Sequence, residues 1–144
     1  MNFLVINGPN LNMLGIREPQ IYGSATYDDL CDHLRQAAEE AGVGISFYQS
    51  NYEGDLVTAI QKALGQFDGI ILNPAAYTHT SIAILDAVKA VGLPTVEVHL
   101  SDPDTREPFR RISYVRAACI ATVKGLGLAG YTEALRILVK HCKG

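Results

Sequence analysis

The chain has no tryptophan, only three cysteines, no apolar run long enough to cross a bilayer and no Lys/Arg run of the kind that tracks a phosphate backbone. Each shortage removes a class of function. Cys31, Cys119 and Cys142 are odd in number, widely spaced and free of any C-x-x-C arrangement, so neither a disulfide framework nor a zinc site is expected, and buried or half-buried thiols are the plain reading. A membrane helix needs about 20 apolar residues, and Met1 runs into a short apolar stretch without a basic leader or cleavage site. The expectation is a cytoplasmic protein. A net charge of -3 without a basic stripe leaves nothing to track a phosphate backbone, which argues against nucleic acid. No G-x-G-x-x-G or Walker-type loop follows the first apolar run. Pro9 there removes an N–H that a phosphate nest would use, and loop aromatics are few, which disfavours a flavin or phosphate module.

What remains is 144 residues, 48% of them hydrophobic, enough for one core and one domain over 1–144. Short β-rich runs at 3–6, 45–48, 69–72, 95–98 and 119–123 alternate with helical patterns. The runs at 3–6 and 69–72 are apolar without alternation, as in parallel strands covered on both faces. Tyr27, Leu30, Cys31, Leu34, Ala38 and Ala41 recur at helical spacing behind Thr26 as N-cap, with Asp28 and Asp29 in the first turn and Gly42 as the stop. Further helices are expected near 53–64, 81–91 and 131–139. The fold class is therefore α/β, a single-domain flavodoxin-like doubly wound sheet of five parallel strands, with ligands bound beyond the strands' carboxyl ends. Loops 8–25 and 100–117 are long for such a domain, a mark of function or mobility. The tail 140–144 reads as solvated or frayed, and His33 and His141 as exposed helical residues.

Chemistry-bearing residues collect at the strand ends: Asn7-Gly8-Pro9-Asn10, Asn73-Pro74 and His99-Leu100-Ser101. Singly these are ordinary turn residues, and convergence on one pocket is what points to a site. Glu97 and His99 are two apart on a strand, so they share a face while Val96 and Val98 take the other, and a carboxylate can orient an imidazole there. The segment from Asn73 to Ser81 carries amide, hydroxyl and imidazole groups ahead of a helix N-terminus, a cradle for an anionic polyol, although Thr80 and Ser81 serve equally well as N-caps. Arg17 and Tyr22 lie together in a loop flanked by Gly15 and Gly23, an arrangement suited to a lid.

Taken in order, Asn7 to Asn12, Arg17-Glu18-Pro19 with Tyr22-Gly23, Gln49-Ser50-Asn51 with Glu53-Gly54, Asn73 to Ser81, Glu97 to Ser101, Arg106 to Arg110, Gly125-Leu126-Gly127 and Gly130-Tyr131 resemble the type II 3-dehydroquinases over essentially the whole chain. The resemblance implies a flavodoxin-like fold assembled as a homododecamer, a tetramer of trimers. It also implies conversion of 3-dehydroquinate to 3-dehydroshikimate in the shikimate or quinate pathway, with no cofactor, no metal and no Schiff base. By the same comparison Tyr22 is the base that takes a C2 proton as tyrosinate, with Arg17 favouring the anion. A free tyrosine titrates near 10, so a useful tyrosinate fraction at neutral pH needs roughly 3 to 4 kcal/mol of help, and one guanidinium at about 4 Å supplies a comparable amount. Asn10 is matched to the enolate oxygen through a water. His99, oriented by Glu97, is matched to the acid that protonates the leaving C1 hydroxyl. Asn73 and the backbone N–H groups of Leu100 and Ser101 correspond to the carboxylate site, His79 and Arg110 to contacts with the ring hydroxyls, and Asp86 to a residue offered by a neighbouring subunit.

Two positions depart from the family pattern. Asp102 stands in place of Asn, where it places an extra negative charge near the carboxylate site unless it points away or pairs with Arg106 or Arg110. Leu85 stands where many members carry Arg. Asp102 and the altered 102–105 stretch keep a paralogue with another hydroxy-acid substrate in view; a non-catalytic flavodoxin-like module binding a phosphate or flavin at the same strand ends is the separate alternative.

Overall fold

A computed structural model describes residues 1–16, 20 and 23–144. Five strands, β1 (Asn2–Asn7), β2 (Gly44–Gln49), β3 (Gly69–Asn73), β4 (Thr95–His99) and β5 (Ala121–Lys124), form one parallel sheet in the order β2-β1-β3-β4-β5. Among the described residues four helices connect or follow them: α1 (Tyr27–Ala41), α2 (Glu53–Ala63), α3 (Ile82–Val91) and α4 (Ala129–Lys143). This is the expected doubly wound, flavodoxin-like arrangement. The strand order reverses at β1, which pairs with β2 on one side and β3 on the other.

Alternation along the strands divides the interior in two. Phe3, Val5, Ile71, Val96, Val98 and Val123 face α1 and α4, where Leu30, Leu34, Leu135 and Leu138 meet them. Leu4, Ile6, Ile70 and Leu72 face α2 and α3, against Leu56, Ile60, Ile84 and Val88. Because both faces are covered, β1 and β3 are apolar at every interior position rather than at every second one. Helix α1 starts at a complete capping box, Thr26 Oγ1 accepting from the Asp29 N–H and Asp29 Oδ2 from the Thr26 N–H, and ends at Gly42 in the left-handed region.

Two boundaries differ from expectation. Strand β5 begins at Ala121, because Cys119 closes a 3-10 turn over Val115–Ala118 and Ile120 gives its N–H to the Thr95 carbonyl below the ladder. The tail 140–144, expected to be solvated or frayed, is solvated but helical, the last turn of α4 running to Lys143, where Lys140 and Lys143 complement the negative end of the helix dipole. The long loop after β4 is organised by three 3-10 turns, Pro103–Thr105, Pro108–Arg111 and Val115–Ala118. Among the described residues no helix is long and apolar enough to cross a membrane.

Candidate active site

At the reversal point the carboxyl ends of β1 and β3 lie side by side, Asn7 in register with Asn73. Gly8 gives its N–H to the Asn73 carbonyl, and a Cβ at Gly8 would lie 2.4 Å from the Pro74 carbonyl oxygen, so only glycine allows this approach. The chain then turns through Asn10 at φ 71, its N–H held by Asn51 Oδ1 at 3.1 Å. Gln49, at the end of β2, donates to Gly8 O, Asn12 Oδ1 and Asn51 Oδ1. These bonds fix the Asn7–Asn12 segment against β2. Beyond β3, Ala75 also adopts a positive φ, 54°, a conformation an alanine rarely takes, and is restrained by its N–H donating to Asn73 Oδ1 at 3.0 Å.

The resulting pocket is lined by Asn10, Asn73, Ala75, His79, His99, Leu100, Ser101, Arg106 and Arg110, with Pro9 and Pro103 at its sides. Asn73 donates through Nδ2 to the Tyr131 hydroxyl at 2.9 Å, and that hydroxyl donates to Asn7 Oδ1 at 2.7 Å. The chain of bonds continues from Asn7 Nδ2 to the Tyr27 hydroxyl at 3.3 Å. Burial pushes the Tyr27 hydroxyl up to about 12 against the hydrogen bond from Asn7, and Tyr131 is raised further by complete burial. Both phenols are therefore neutral scaffolding.

At the end of β4, His99 Nε2 lies 2.6 Å from Glu97 Oε2, both side chains buried. Val96 and Val98 take the opposite face of the sheet, as the spacing requires. Glu97 is fully enclosed yet well satisfied: Ser113 Oγ donates at 2.7 Å, Thr122 Oγ1 at 2.9 Å and Arg116 Nε at 3.0 Å. Burial alone would raise its pKa, but the bonds from His99, Arg116 and Ser113 outweigh burial and hold the carboxyl at about 2. An ionised Glu97 accepts hydrogen bonds only, so Nε2 of His99 is the donor and Nδ1 is the nitrogen left for other partners.

His79 Nδ1 sits 2.6 Å from the Ile112 carbonyl, which makes that nitrogen the donor and Nε2 the acceptor of a neutral ring. Burial lowers its pKa, against the pull of the Ile112 carbonyl. Arg110 donates through Nε to Glu107 at 2.5 Å, with its guanidinium 5.2 Å from the Phe109 ring centre. The carbonyls of Leu100 and Ser101 accept from the N–H groups of Gly127 and Gly125, which anchors this turn on the loop after β5.

Asn10, Asn73, His79, His99, Leu100, Ser101 and Arg110 thus share one pocket, with Glu97 directly behind His99. Asp86 does not line it; this side chain is exposed on α3. Arg17 and Tyr22 lie outside the described residues. Ser81 is the N-cap of α3, accepting from Ile84 N, and Thr80 is exposed outside the pocket. Asp102 neither lines the pocket nor needs Arg110: it caps the Pro103–Thr105 turn through the Asp104 N–H and lies 3.6 Å from Lys124 Nζ. His33, expected merely to be exposed, also bonds Thr132 across to α4.

The sequence reading missed the groups around Glu97. Thr122 had a detectable signal, since a polar residue in register with Glu97 on the neighbouring strand is a natural partner. Arg116 and Ser113 come from an irregular loop and had none. Tyr131 reads in the sequence as one of a Gly-Tyr pair and as the start of a helical pattern, and neither signal names the partner that a buried tyrosine hydroxyl needs.

The fold and pocket define a doubly wound α/β protein with a buried carboxylate–imidazole pair on β4, the strand next to its topological switch point. Among the described residues no group of three or more His, Cys, Asp or Glu can hold a metal ion. A family model described as "Dehydroquinase class II" matches residues 1–139, and the chain belongs to that family. It is 54% identical over 143 residues to a 3-dehydroquinate dehydratase of Geotalea daltonii, covering 99% of each chain. It is 49% identical to one of Clostridium acetobutylicum, covering 96% of each. The crystal structure of a type II dehydroquinase from Butyrivibrio crossotus superimposes with a TM-score of 0.95 at 44% identity, covering 96% of this chain and 97% of the other.

Proposed function

We propose that this protein dehydrates 3-dehydroquinate to 3-dehydroshikimate by a stepwise anti elimination through an enolate, without cofactor or imine. The observation that carries the reading is the Glu97–His99 pair, buried and aimed at a pocket that also holds Asn10, Asn73 and Arg110. Tyr22, as tyrosinate beside Arg17, removes a C2 proton, and the electron pair of that C–H bond moves onto the C3 oxygen. Asn10, through a water, stabilises that oxyanion. The enolate then collapses to form the C1–C2 double bond, the C1–oxygen bond breaks, and His99 supplies the proton that makes the leaving group water. Asn73, with the N–H groups of Leu100 and Ser101, receives the substrate carboxylate, while His79 and Arg110 receive the ring hydroxyls. The Asp102 side chain, turned toward Lys124, leaves the carboxylate site without an added anion.

The assembly belongs to the same reading: a cytoplasmic homododecamer built as a tetramer of trimers, with Asp86 completing a neighbouring subunit's pocket. The step serves shikimate or quinate metabolism alike. The test is ultraviolet absorbance of metal-stripped protein mixed with 3-dehydroquinate, with borohydride in a parallel sample. Growth of the conjugated product in both samples is the expected result. Loss of turnover in the borohydride sample alone would replace the enolate by an imine, and no product from folded protein would favour another hydroxy acid.

A further inference from the structure

The carboxylate behind His99 has a second cationic partner. Arg116, from the 3-10 turn Val115–Ala118, places Nε 3.0 Å from Glu97 Oε1, and its Nη2 lies 3.5 Å from Oε2. Arg116 is about two-fifths exposed, whereas Glu97 is fully enclosed. The guanidinium therefore reaches inward from the rim to both carboxylate oxygens, its shorter bond going to Oε1, the oxygen that His99 does not take.

We infer that Arg116 is a positioning residue for proton donation, a third member of an Arg116–Glu97–His99 chain that holds the charge of Glu97 after His99 has released its proton. This rests on the reading of His99 as the acid. Before the transfer the three groups carry plus, minus and plus, a net charge of +1. The Nδ1–H bond of His99 then breaks, the proton joins the departing hydroxyl as water, and the net charge becomes zero. Without Arg116 the same step would begin neutral and end with an unpaired anion in a fully enclosed place, a state that burial penalises strongly. Ser113 and Thr122 donate to the carboxylate but bring no charge, so they cannot substitute for the guanidinium.

Among the described residues, Arg116 is the cation bonded to Glu97 that keeps its charge once the imidazole is neutral. His79 and Cys119 also feel Glu97; burial lowers the pKa of His79 and raises that of Cys119 to about 12, so neither brings a positive or negative charge at neutral pH. On its outer side Arg116 feels Asp104 and Lys124, which are paired with each other.

The experiment compares wild type, Arg116→Gln and Arg116→Lys in the dehydration assay across pH, with kcat in light and heavy water and the melting temperature as a folding control. Wild type without product defeats the functional reading itself; the inference is judged only against an active wild type. In Arg116→Gln, kcat falls by about tenfold, part of the roughly 10²–10⁴ that general acid catalysis contributes, and KM stays within about twofold. Removing a group that favours the carboxylate makes Glu97 take up its proton at higher pH, so the acid limb of the pH profile moves up and the solvent isotope effect grows. Arg116→Lys, which keeps the charge, returns both toward wild type. A Gln variant with an unmoved pH profile and isotope effect overturns the inference, as does a Lys variant equal to the Gln one. Should Arg116→Gln fold poorly, adding Glu97→Gln removes the stranded anion: equal activity in Glu97→Gln and in the double variant upholds the chain, and a further tenfold loss in the double variant overturns it.

Discussion

At the scale of single residues, the most informative group is a carboxylate that never meets water. Glu97 is held at about 2, below its ordinary value of 4.5, by hydrogen bonds that outweigh its burial. A carboxyl depressed in the folded state stabilises the protein above its unfolded pKa, and that stability drains away as pH falls toward the folded value. The difference corresponds to roughly 3 kcal/mol, present at neutral pH and lost between about pH 4.5 and 2. Denaturant unfolding of wild type and Glu97→Gln should therefore give curves well separated at pH 7 that approach one another toward pH 3. Parallel curves across that range would mean that Glu97 is not the ionised partner described. Tyr22 is tested in a different currency. Tyr22→Phe removes only the phenolic oxygen, and the expected result is a fall of kcat by at least about 10³-fold at unchanged melting temperature, since no other group in the proposal takes the C2 proton.

At the scale of elements, the site is a property of how β1 and β3 end. Their carboxyl termini approach so closely that a methyl at Gly8 would meet the Pro74 carbonyl, and the left-handed Ala75 follows one residue later. Gly8→Ala should cost about 1–3 kcal/mol, an overpacking cost rather than a lost contact, and should raise KM because Asn10 and Asn73 move apart. Calorimetry together with substrate titration checks both; an unchanged melting temperature would show that these strand ends yield easily. The elements themselves were legible in the sequence because each follows a period or a cap: continuous apolar runs for β1 and β3, the Thr26 box and Gly42 for α1, and two-residue spacing for Glu97 and His99. Arg116 was not legible, because its bond to Glu97 depends on the path of a loop made of three short turns, and such a path has no period to read. The same holds for Asp102, whose turn toward Lys124 is set by its role as a cap. Asn73 and Tyr131 sit 58 positions apart and meet only because α4 packs over the switch point.

At the scale of the whole molecule, the pocket of one chain is incomplete if the assignment of Asp86 holds, since that residue lies exposed on α3 and outside the pocket lining of its own subunit. A residue that serves a neighbour makes assembly part of the catalytic unit, and that can be separated from ordinary stabilisation by mixing. Tyr22→Phe lacks the base but can still lend Asp86; Asp86→Ala lacks the loan but keeps its own Tyr22. Each variant alone should be nearly inactive. Dissociated, mixed in equal amounts and reassembled, they form sites in which an Asp86→Ala subunit sits beside a Tyr22→Phe neighbour, and such a site has every group it needs. With random mixing and one donor neighbour per site, about a quarter of the sites are of this kind, so activity should return to about a quarter of wild type. Light scattering on the same samples measures the assembly, for which a tetramer of trimers is the proposed state. Full activity of Asp86→Ala alone, or no recovery from mixtures shown to have exchanged subunits, would place the whole reaction within a single chain.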